Sequence, residues 1–374
     1  MNDRPTTTIP PEIDAAIDSW VARTKELTGK EVRERETWNY DVTPDSIRHF
    51  CYGTDDDNPL WLDPAYAVKT KHGKLMAPPA YLMSVLYPML HGAPMKAPLA
   101  SLIGGVSCEW YRPIGVGDRL RAVSKQGDFY EKKNKQGRRL NFVISEIMYF
   151  DAADKPVGKA NGTMIMATQV GDTVMLKRPL NRLSDEALAT LEQTYRAETK
   201  TGSKPLFAED VAVGSTIPSL TRGPLTIGDL VAWNAGIGPS YKAGRWGFLD
   251  LKKSPHAVSH NKVMNFPVKY SQQHEDFNLA ASRGMPGPFD NGVMRFAWVA
   301  PMLTHWMGDD GFLKRLDVQV RQPVLYGDIV TYSGKVTEKD DATGLVKIAI
   351  TGTTQDGQVP TVATADVELP RRSK

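Results

Sequence analysis

The chain has 374 residues, the length of two or three domains of ordinary size. Charged residues make up 24% of the chain and sum to +3, and hydrophobic residues make up 41%. This balance is typical of folded globular proteins, and it argues against a disordered or collagen-like chain and against a dedicated nucleic-acid-binding surface. Cys51 and Cys108 are the only cysteines, which is too few for a disulfide framework and suits a reducing cytoplasm.

No segment of the sequence has the pattern of a targeting or membrane-spanning element. The first twenty residues mix acids and prolines where a signal peptide needs a basic start and an apolar run, so we expect a cytoplasmic protein. The longest charge-free apolar stretch, residues 75–90, is shorter than the roughly 20 residues of a membrane span and contains three prolines. We therefore expect a buried helix there and no membrane partner.

The sequence contains an internal repeat. Residues 61–67 align with residues 274–280 at an offset of 213, and both segments precede a loop and a long apolar stretch. Further on, residues 113–118 align with residues 323–328 at an offset of 210, and both end in a Gly-Asp pair that predicts a turn. The chain is therefore predicted to consist of two related copies.

The two copies differ by one insertion. Thr43 and Thr226 each stand where an N-cap is expected before a short helix, at an offset of 183. The increase from 183 to 213 predicts about 30 additional residues in the second copy, roughly residues 239–273.

Each copy is predicted to contain a short helix, a loop, a long apolar helix and then alternating strands. We predict an N-terminal domain over residues 1–170, a linker with one capped helix over residues 171–205, and a C-terminal domain over residues 206–374. This order of elements predicts an α+β fold. The predicted strands are residues 121–132, 140–151 and 160–167 in the first copy, and residues 329–339, 345–355 and 361–369 in the second.

The repeat resembles the MaoC-like acyl dehydratases and R-specific enoyl-CoA hydratases in their fused form, with a FAS1-like dehydratase N-terminal domain and a MaoC-like C-terminal domain. The pattern of that family is D-x-N-P-(I/L)-H-x-D-x-x-x-A followed by G-x-x-G-x-x-x-x-G. The first copy matches it at Asp56, Asn58, Asp63 and Ala67, and the second copy matches it at His274, Asp276, Ala280, Gly284, Gly287 and Gly292.

The resemblance implies a double hot-dog fold, in which two antiparallel sheets each wrap a long apolar helix. It also implies reversible hydration of a 2-enoyl-CoA to a 3-hydroxyacyl-CoA. The expected partner is an acyl-CoA thioester. Beyond the CoA of the substrate we expect no cofactor, no metal and no nucleic acid, and the oligomer is expected to be a monomer, a homodimer or a complex with a partner hot-dog subunit.

Hydration of an enoyl thioester needs a base to activate water, an acid to protonate C2 and a hydrogen-bond donor for the thioester oxygen. In the family that the repeat resembles, an Asp and a His five residues apart supply the first two. A backbone N–H at the start of the long helix supplies the third. The first copy has Trp61 in place of the histidine and Pro79, which has no N–H, in place of the helix-start glycine. We therefore do not expect the chemical site in the first domain. The resemblance implies that this domain houses the acyl chain, with Asp56 and Asn58 as substrate-binding residues.

The second copy is the predicted catalytic domain. The resemblance assigns general acid/base chemistry to His274 and polarisation of the thioester carbonyl to the N–H of Gly292. Gly287 and Asn291 are assigned to substrate binding, and Asp290 or Asn291 to the N-cap of the long helix. The family aspartate is missing, because its aligned position is Pro239. Asp276 is the first choice of carboxylate to orient His274, with Glu275, Asp250 and Asp56 as alternatives.

Two other functions remain open from the sequence. Since one copy lacks the histidine and the other lacks the aspartate, the protein could be a non-catalytic acyl-CoA-binding subunit of a partner hydratase. A hot-dog thioesterase would need a carboxylate near the start of the long helix, where Asp290 stands. Basic pairs at Lys132–Lys133 and Lys252–Lys253 are either solvated loops or contacts for the phosphates of CoA.

Overall fold

The computed structural model describes residues 9–32, 37–90, 92–93, 99–135, 137–168, 176, 178–238, 242–253 and 258–372. The helices are α1 (Pro11–Lys25), α2 (Pro44–Thr54), α3 (Pro59–Leu62), α4 (Pro64–Ala67), α5 (Leu82–Val85), α6 (Asp185–Arg196), α7 (Ile227–Ile237), α8 (Gly244–Lys253), α9 (Phe277–Ser282) and α10 (Met294–Met307). The strands are β1 (Leu99–Trp110), β2 (Leu120–Lys133), β3 (Arg139–Asp151), β4 (Pro156–Thr168), β5 (Thr216–Arg222), β6 (Val258–Asn261), β7 (Phe266–Lys269), β8 (Phe312–Val320), β9 (Val330–Asp340), β10 (Leu345–Thr354) and β11 (Thr361–Glu368).

Within these residues, nine strands form one antiparallel sheet in the order β2-β3-β4-β1-β8-β11-β10-β9-β5. The first four strands come from the first copy and the rest from the second, so the two predicted sheets are joined edge to edge into one. Buried and exposed residues alternate along β9 and β11, as the sequence pattern predicts for strands with one face on the core. The six predicted strands are confirmed to within a few residues, while β1, β5 and β8 were not predicted.

The two copies meet about a pseudo-two-fold axis in the sheet. Strand β1 pairs with β8 antiparallel, and Ser107 faces Asp317, its own counterpart at the offset of 210. Val106 faces Val318 and Cys108 faces Leu316, so the pairing is symmetric on either side of that position. The central strands of the sheet thus fuse the two copies, and neither strand is left as a free edge.

The same axis relates two short helices. Thr43 and Thr226 are the N-caps of α2 and α7, as predicted. Each hydroxyl accepts a hydrogen bond from the backbone N–H of the third residue of its helix. The helices cross at Gly53 and Gly236, which are equivalent at the offset of 183. A Cβ at either position would lie 3.0 Å from the Cα of the other glycine, so the crossing depends on the absence of side chains there.

The second copy contains the predicted long apolar helix. All fourteen residues of α10 are buried, and it contacts β5, β8 and β11. A helix that is apolar on every side is stable only when it is surrounded by protein. Helix α10 therefore forms the centre of the second half.

The prediction of a long helix over residues 75–90 is wrong. The chain forms a single 3-10 turn at Pro79–Tyr81 and one helical turn at α5, and it is extended from Leu86. Pro88 disfavours a helical conformation in the preceding residue, and its carbonyl lies against Gly162 of β4, where any side chain would collide with it. The extended segment thus crosses the sheet face that a longer helix would cover.

The insertion predicted in the second copy forms a small separate unit. Helix α8 is followed by the hairpin β6–β7 and by a 3-10 turn at Tyr270–His274. The predicted linker helix is confirmed as α6, with Ser184 as its N-cap. Pro239 and His256 lie outside the described residues.

Replacement of Gly53 or Gly236 by alanine tests the helix crossing. A Cβ at Gly53 would lie 2.6 Å from the Ala232 carbonyl oxygen, and a Cβ at Gly236 would lie 2.8 Å from that of His49. We expect each variant to lose about 1–3 kcal/mol of unfolding free energy, measured by chemical denaturation. Gly228→Ala, also in α7, is the control, because its Cβ would meet only the Thr226 hydroxyl at 3.3 Å. Equal stability of Gly53→Ala, Gly236→Ala and Gly228→Ala would contradict the close crossing.

Candidate functional site

His274 ends the 3-10 turn that leads out of the insertion. Its Nδ1 lies 3.0 Å from the carbonyl oxygen of Phe289, and its ring packs edge-on against the Phe289 ring. A carbonyl oxygen only accepts hydrogen bonds, so Nδ1 carries the proton in the neutral ring and Nε2 keeps its lone pair. The histidine is therefore held in the tautomer that leaves Nε2 as a base.

Burial lowers the pKa of His274, and the Phe289 carbonyl and the charge of Asp290 oppose that effect only in part. The neutral ring is therefore the main form at neutral pH. A neutral imidazole can take a proton from water and then return it to carbon, which is the behaviour required of a single acid/base group.

Asp276, the predicted partner of His274, has other partners in the structure. One carboxylate oxygen accepts the Leu279 N–H at 3.0 Å as the N-cap of α9, and the other accepts the Asn261 amide at 3.2 Å. The orientation of His274 comes instead from the Phe289 carbonyl. Asp276 fixes the segment that follows His274 and ties it to the β6–β7 hairpin.

The alternative carboxylates are engaged as well. Glu275 accepts a hydrogen bond from the Asn234 amide at 2.8 Å. Asp250 lies 3.7 Å from the Lys269 ammonium and 4.0 Å from that of Lys242. The Asp250 contacts lie within the insertion, and the Glu275 contact ties the residue after His274 to α7.

Asp290 forms a buried ion pair. Its two carboxylate oxygens accept hydrogen bonds of 2.8 Å from Arg295, and both side chains are almost fully buried. One oxygen of Asp290 also accepts the Val324 N–H. Asp290 is therefore neither a helix cap nor a free carboxylate.

The start of α10 is built from both halves of the chain. The helix begins at Met294 with Val293 at the N-cap, so the N-cap predicted at Asp290 or Asn291 is wrong. Asn291 instead accepts the Met294 N–H through its backbone carbonyl at 2.7 Å. The Asn291 side-chain oxygen accepts a 2.6 Å hydrogen bond from the Tyr87 hydroxyl of the first half. Asn291 is thus a positioning residue for the turn that contains Gly292.

Gly292 lies in this turn, two residues before α10. It is buried, and its N–H has no acceptor within the described residues, so the donor is unpaired there. Ile103 of β1 lies against it, since a Cβ at Gly292 would be 3.0 Å from the Ile103 Cβ. Gly287 is a packing position, where a Cβ would lie 3.0 Å from Leu180.

The corresponding place in the first half is occupied differently. The Trp61 indole donates a 3.1 Å hydrogen bond to Asp56. Asn58 caps α3 by accepting the Leu60 N–H. Asp56 and Asn58 are both buried, and beside Trp61 a cleft remains that is also lined by Met76, Pro79, Trp110 and Asp309.

Asp56 is also close to a histidine that sequence reasoning missed. The Nε2 of His305, near the end of α10, lies 3.6 Å from an Asp56 oxygen, and both residues are buried. His274 contacts residues just before the start of α10, whose fourteen residues span about 20 Å. The structure therefore places Asp56 and Asn58 at the opposite end of α10 from His274.

Other reactive groups are inaccessible or isolated. Cys51 and Cys108 are free and buried, and burial raises the pKa of both thiols. The described part of the chain contains no cluster of three or more His, Cys, Asp or Glu side chains that could hold a metal ion. Among the same residues, no helix combines the length and apolar character that a bilayer crossing needs.

Comparison with known proteins identifies the first half. Residues 27–160 match the family model for the FAS1-like dehydratase domain region. A UPF0336 protein from Saccharopolyspora erythraea is 30% identical over 132 residues, which is 34% of this chain and 81% of that protein.

Comparison with solved structures covers nearly the whole chain. A MaoC-like dehydratase is 18% identical, with a TM-score of 0.66 over 93% of this chain and 100% of its own. A MaoC-like dehydratase from Phytophthora capsici is 12% identical, with a TM-score of 0.54 over 94% and 99% of the two chains. A Mycobacterium tuberculosis protein described as a double hot-dog is 11% identical, with a TM-score of 0.55 over 93% and 98%. The predicted double hot-dog fold is confirmed.

Asp290→Ala tests the buried ion pair. The substitution leaves the Arg295 charge buried without a counterion, so we expect a loss of about 3–5 kcal/mol of unfolding free energy in chemical denaturation. Glu192→Ala, which breaks an exposed pair with Arg196, is the control and should cost less than about 1 kcal/mol. If the two variants lose the same small amount, Asp290 does not carry the role described here.

Proposed function

The chain belongs to the FAS1-like dehydratase family, and from that premise we propose that it reversibly hydrates a 2-enoyl-CoA to a 3-hydroxyacyl-CoA. The observation that carries this proposal concerns the loop from Phe289 to Gly292. A neutral histidine, His274, is bonded to the start of this loop, and an unpaired backbone N–H lies at its end. His274 is anchored on Phe289, and Gly292 follows three residues later. We place this activity in the cytoplasm, in keeping with the two unpaired cysteines.

His274 acts as both base and acid in the proposed mechanism. In hydration, Nε2 takes a proton from water as the water oxygen bonds to C3 of the enoyl group. The π electrons move toward C2, and negative charge develops on the thioester oxygen. Nε2 then returns the proton to C2, so the net addition is one water molecule.

The N–H of Gly292 stabilises the thioester oxygen as that charge develops. A fixed backbone donor costs no reorganisation during the reaction, and the dipole of α10 adds to its effect. Asn291 and Tyr87 hold this donor in place, and Ile103 forms an apolar wall beside it. The first half thus contributes to substrate binding through Tyr87 and Ile103, without a catalytic residue of its own.

A thioesterase is disfavoured by the ion pair at the start of α10, because Asp290 is held by Arg295 and is not available to attack or to activate water. A non-catalytic acyl-CoA-binding subunit is the remaining alternative, because no carboxylate among the described residues forms a hydrogen bond or ion pair with His274. One experiment separates the three functions. The protein is incubated with an enoyl-CoA while enoyl absorbance and free thiol are recorded together. Hydration lowers the absorbance without thiol release, hydrolysis releases thiol, and a binding subunit changes neither signal.

His274→Gln tests the proposed catalytic group. The amide cannot act as a base, so we expect the rate of enoyl-CoA hydration to fall by about 10²- to 10⁴-fold. His260→Gln is the matched control, because His260 lies in the same insertion and bonds only Asn265 among the described residues. Unchanged hydration in His274→Gln would remove His274 from the mechanism.

The pH dependence of hydration provides an independent test. The base must be neutral, so kcat/KM should fall as pH decreases through the pKa of His274. Because burial lowers that pKa, the midpoint should lie below the ordinary histidine value of about 6.5, and the rate should be level just above it. A midpoint above that value would mean that another group limits the rate.

A further inference from the structure

The insertion carries an unusual surface. Its charged residues over 242–269 are six cations and one acid, whereas the whole chain has a net charge of only +3. Helix α8 has no buried residue, and the Trp246 side chain is 63% exposed. The first half has only a short loop at the equivalent position. This surface is therefore specific to the half that contains His274.

The exposed arc of α8 alternates apolar and basic side chains. At 100° per residue the order around the helix is Phe248, Lys252, Arg245, Leu249, Lys253 and Trp246, and all six residues are exposed. A helix that lies on a membrane separates its apolar side chains from its charged ones. The interleaved order of α8 instead suits a ligand that combines a flat ring with anionic groups.

Several of these cations are available to a ligand. Within the described residues, no acid forms an ion pair with Arg245, Lys252, Lys253 or Lys262. By contrast, Asp250 lies within ion-pair distance of Lys242 and Lys269. The Lys242 ammonium also lies 4.7 Å from the centre of the Trp246 ring, so one cation is in contact with the indole.

Helix α8 is tied directly to the histidine. Lys269, which contacts Asp250 of α8, is the last residue of β7 and precedes the 3-10 turn that ends at His274. Asn261 of β6 donates to Asp276, two residues after His274. The basic aromatic surface and the proposed catalytic group therefore belong to one connected unit.

We propose that the exposed arc of α8 binds the 3′-phosphoadenosine diphosphate end of the CoA substrate, an inference that rests on the proposed function. Lys252, Lys253 and Arg245 contact the phosphates, and the Trp246 indole stacks on the adenine. The thioester reaches Gly292 and His274 through the flexible pantetheine arm. The insertion thus selects substrates that carry a nucleotide over other thioesters.

The test compares two substrates and one ligand. Hydration kinetics are measured with an enoyl-CoA and with the same enoyl group on N-acetylcysteamine, which lacks the nucleotide. Adenosine 3′,5′-bisphosphate is titrated into the full chain by calorimetry. The test variants are Trp246→Ala and the double variant Lys252→Glu/Lys253→Glu. The control variant is Lys132→Glu/Lys133→Glu, which reverses an equal charge on β2.

We expect each test variant to weaken binding of adenosine 3′,5′-bisphosphate about tenfold and to raise KM for enoyl-CoA by a similar factor. Kinetics with the N-acetylcysteamine thioester should not change, and the Lys132→Glu/Lys133→Glu control should match the wild type with both substrates. Binding should also weaken as salt concentration rises.

Three results would overturn the inference: no binding of the bisphosphate to the wild type, equal losses with both thioesters, or equal losses in the control variant. The outcome for the proposed function is separate. If the bisphosphate binds and the test variants weaken it while neither thioester is hydrated, the nucleotide site stands and the hydratase activity fails. Val263→Ser/Met264→Ser, at the exposed hairpin tip, should leave all three measurements unchanged. Weaker bisphosphate binding in that variant would place the nucleotide contact on the hairpin tip and would contradict its assignment to α8.

Discussion

The pairing of β1 with β8 is the constraint on which the rest of the structure depends. It joins the two sheets edge to edge, and it places Ser107 opposite its own counterpart Asp317. The glycine crossing of α2 and α7 lies on the same pseudo-two-fold axis. With these contacts fixed, Ile103 of β1 is brought against Gly292, and a residue of the first half becomes part of the wall around the second half's site.

Symmetry of fold coexists with asymmetry of chemistry. In the first half, Trp61 holds Asp56 through an indole N–H, and Pro79 offers no N–H for an oxyanion. In the second half, Nδ1 of His274 bonds the Phe289 carbonyl, and the N–H of Gly292 has no acceptor within the described chain. The family aspartate is missing here, and the backbone carbonyl of Phe289 fixes the tautomer of His274 instead, without adding a charge. Burial of a neutral carbonyl costs less free energy than burial of a charged carboxylate. The carbonyl also stabilises the protonated His274 ring less than a carboxylate would.

Features decided by local sequence could be predicted well. Thr43 and Thr226 cap their helices through contacts three residues away, and the alternation of β9 and β11 follows directly from one buried sheet face. Residues 75–90 were predicted incorrectly, because apolar composition does not distinguish a helix from an extended segment when tertiary contacts decide between them. The contact of Pro88 with Gly162 is such a contact, and it joins residues far apart in sequence.

The site was only partly predictable for the same reason. The repeat singled out His274 and Gly292 as candidates. The contacts of Asn291 with Tyr87 and of Asp56 with His305 depend on packing between the halves, and those of Asp276 depend on the fold of the insertion. The sequence did contain a signal for one interaction that was not predicted, the ion pair between Arg295 and Asp290. Arg295 is a lone charge in an otherwise apolar helix, and a buried guanidinium requires a nearby acid, which Asp290 supplies. Tyr87 and His305 had no such signal, because each meets its partner across the domain junction.

The central claim is that one chain holds one chemical site, in the second half. The most direct measurement is the binding stoichiometry of a non-reactive thioether analogue of the acyl-CoA, determined by isothermal titration calorimetry on the full chain. We expect one analogue per chain, with binding weakened more in Gly292→Pro, which lacks the N–H donor, than in Gly292→Ala, which keeps the N–H and places the same Cβ against Ile103, and with binding retained in Trp61→Phe. Two equivalent sites per chain, or binding that depends on Trp61 and not on Gly292, would contradict this claim.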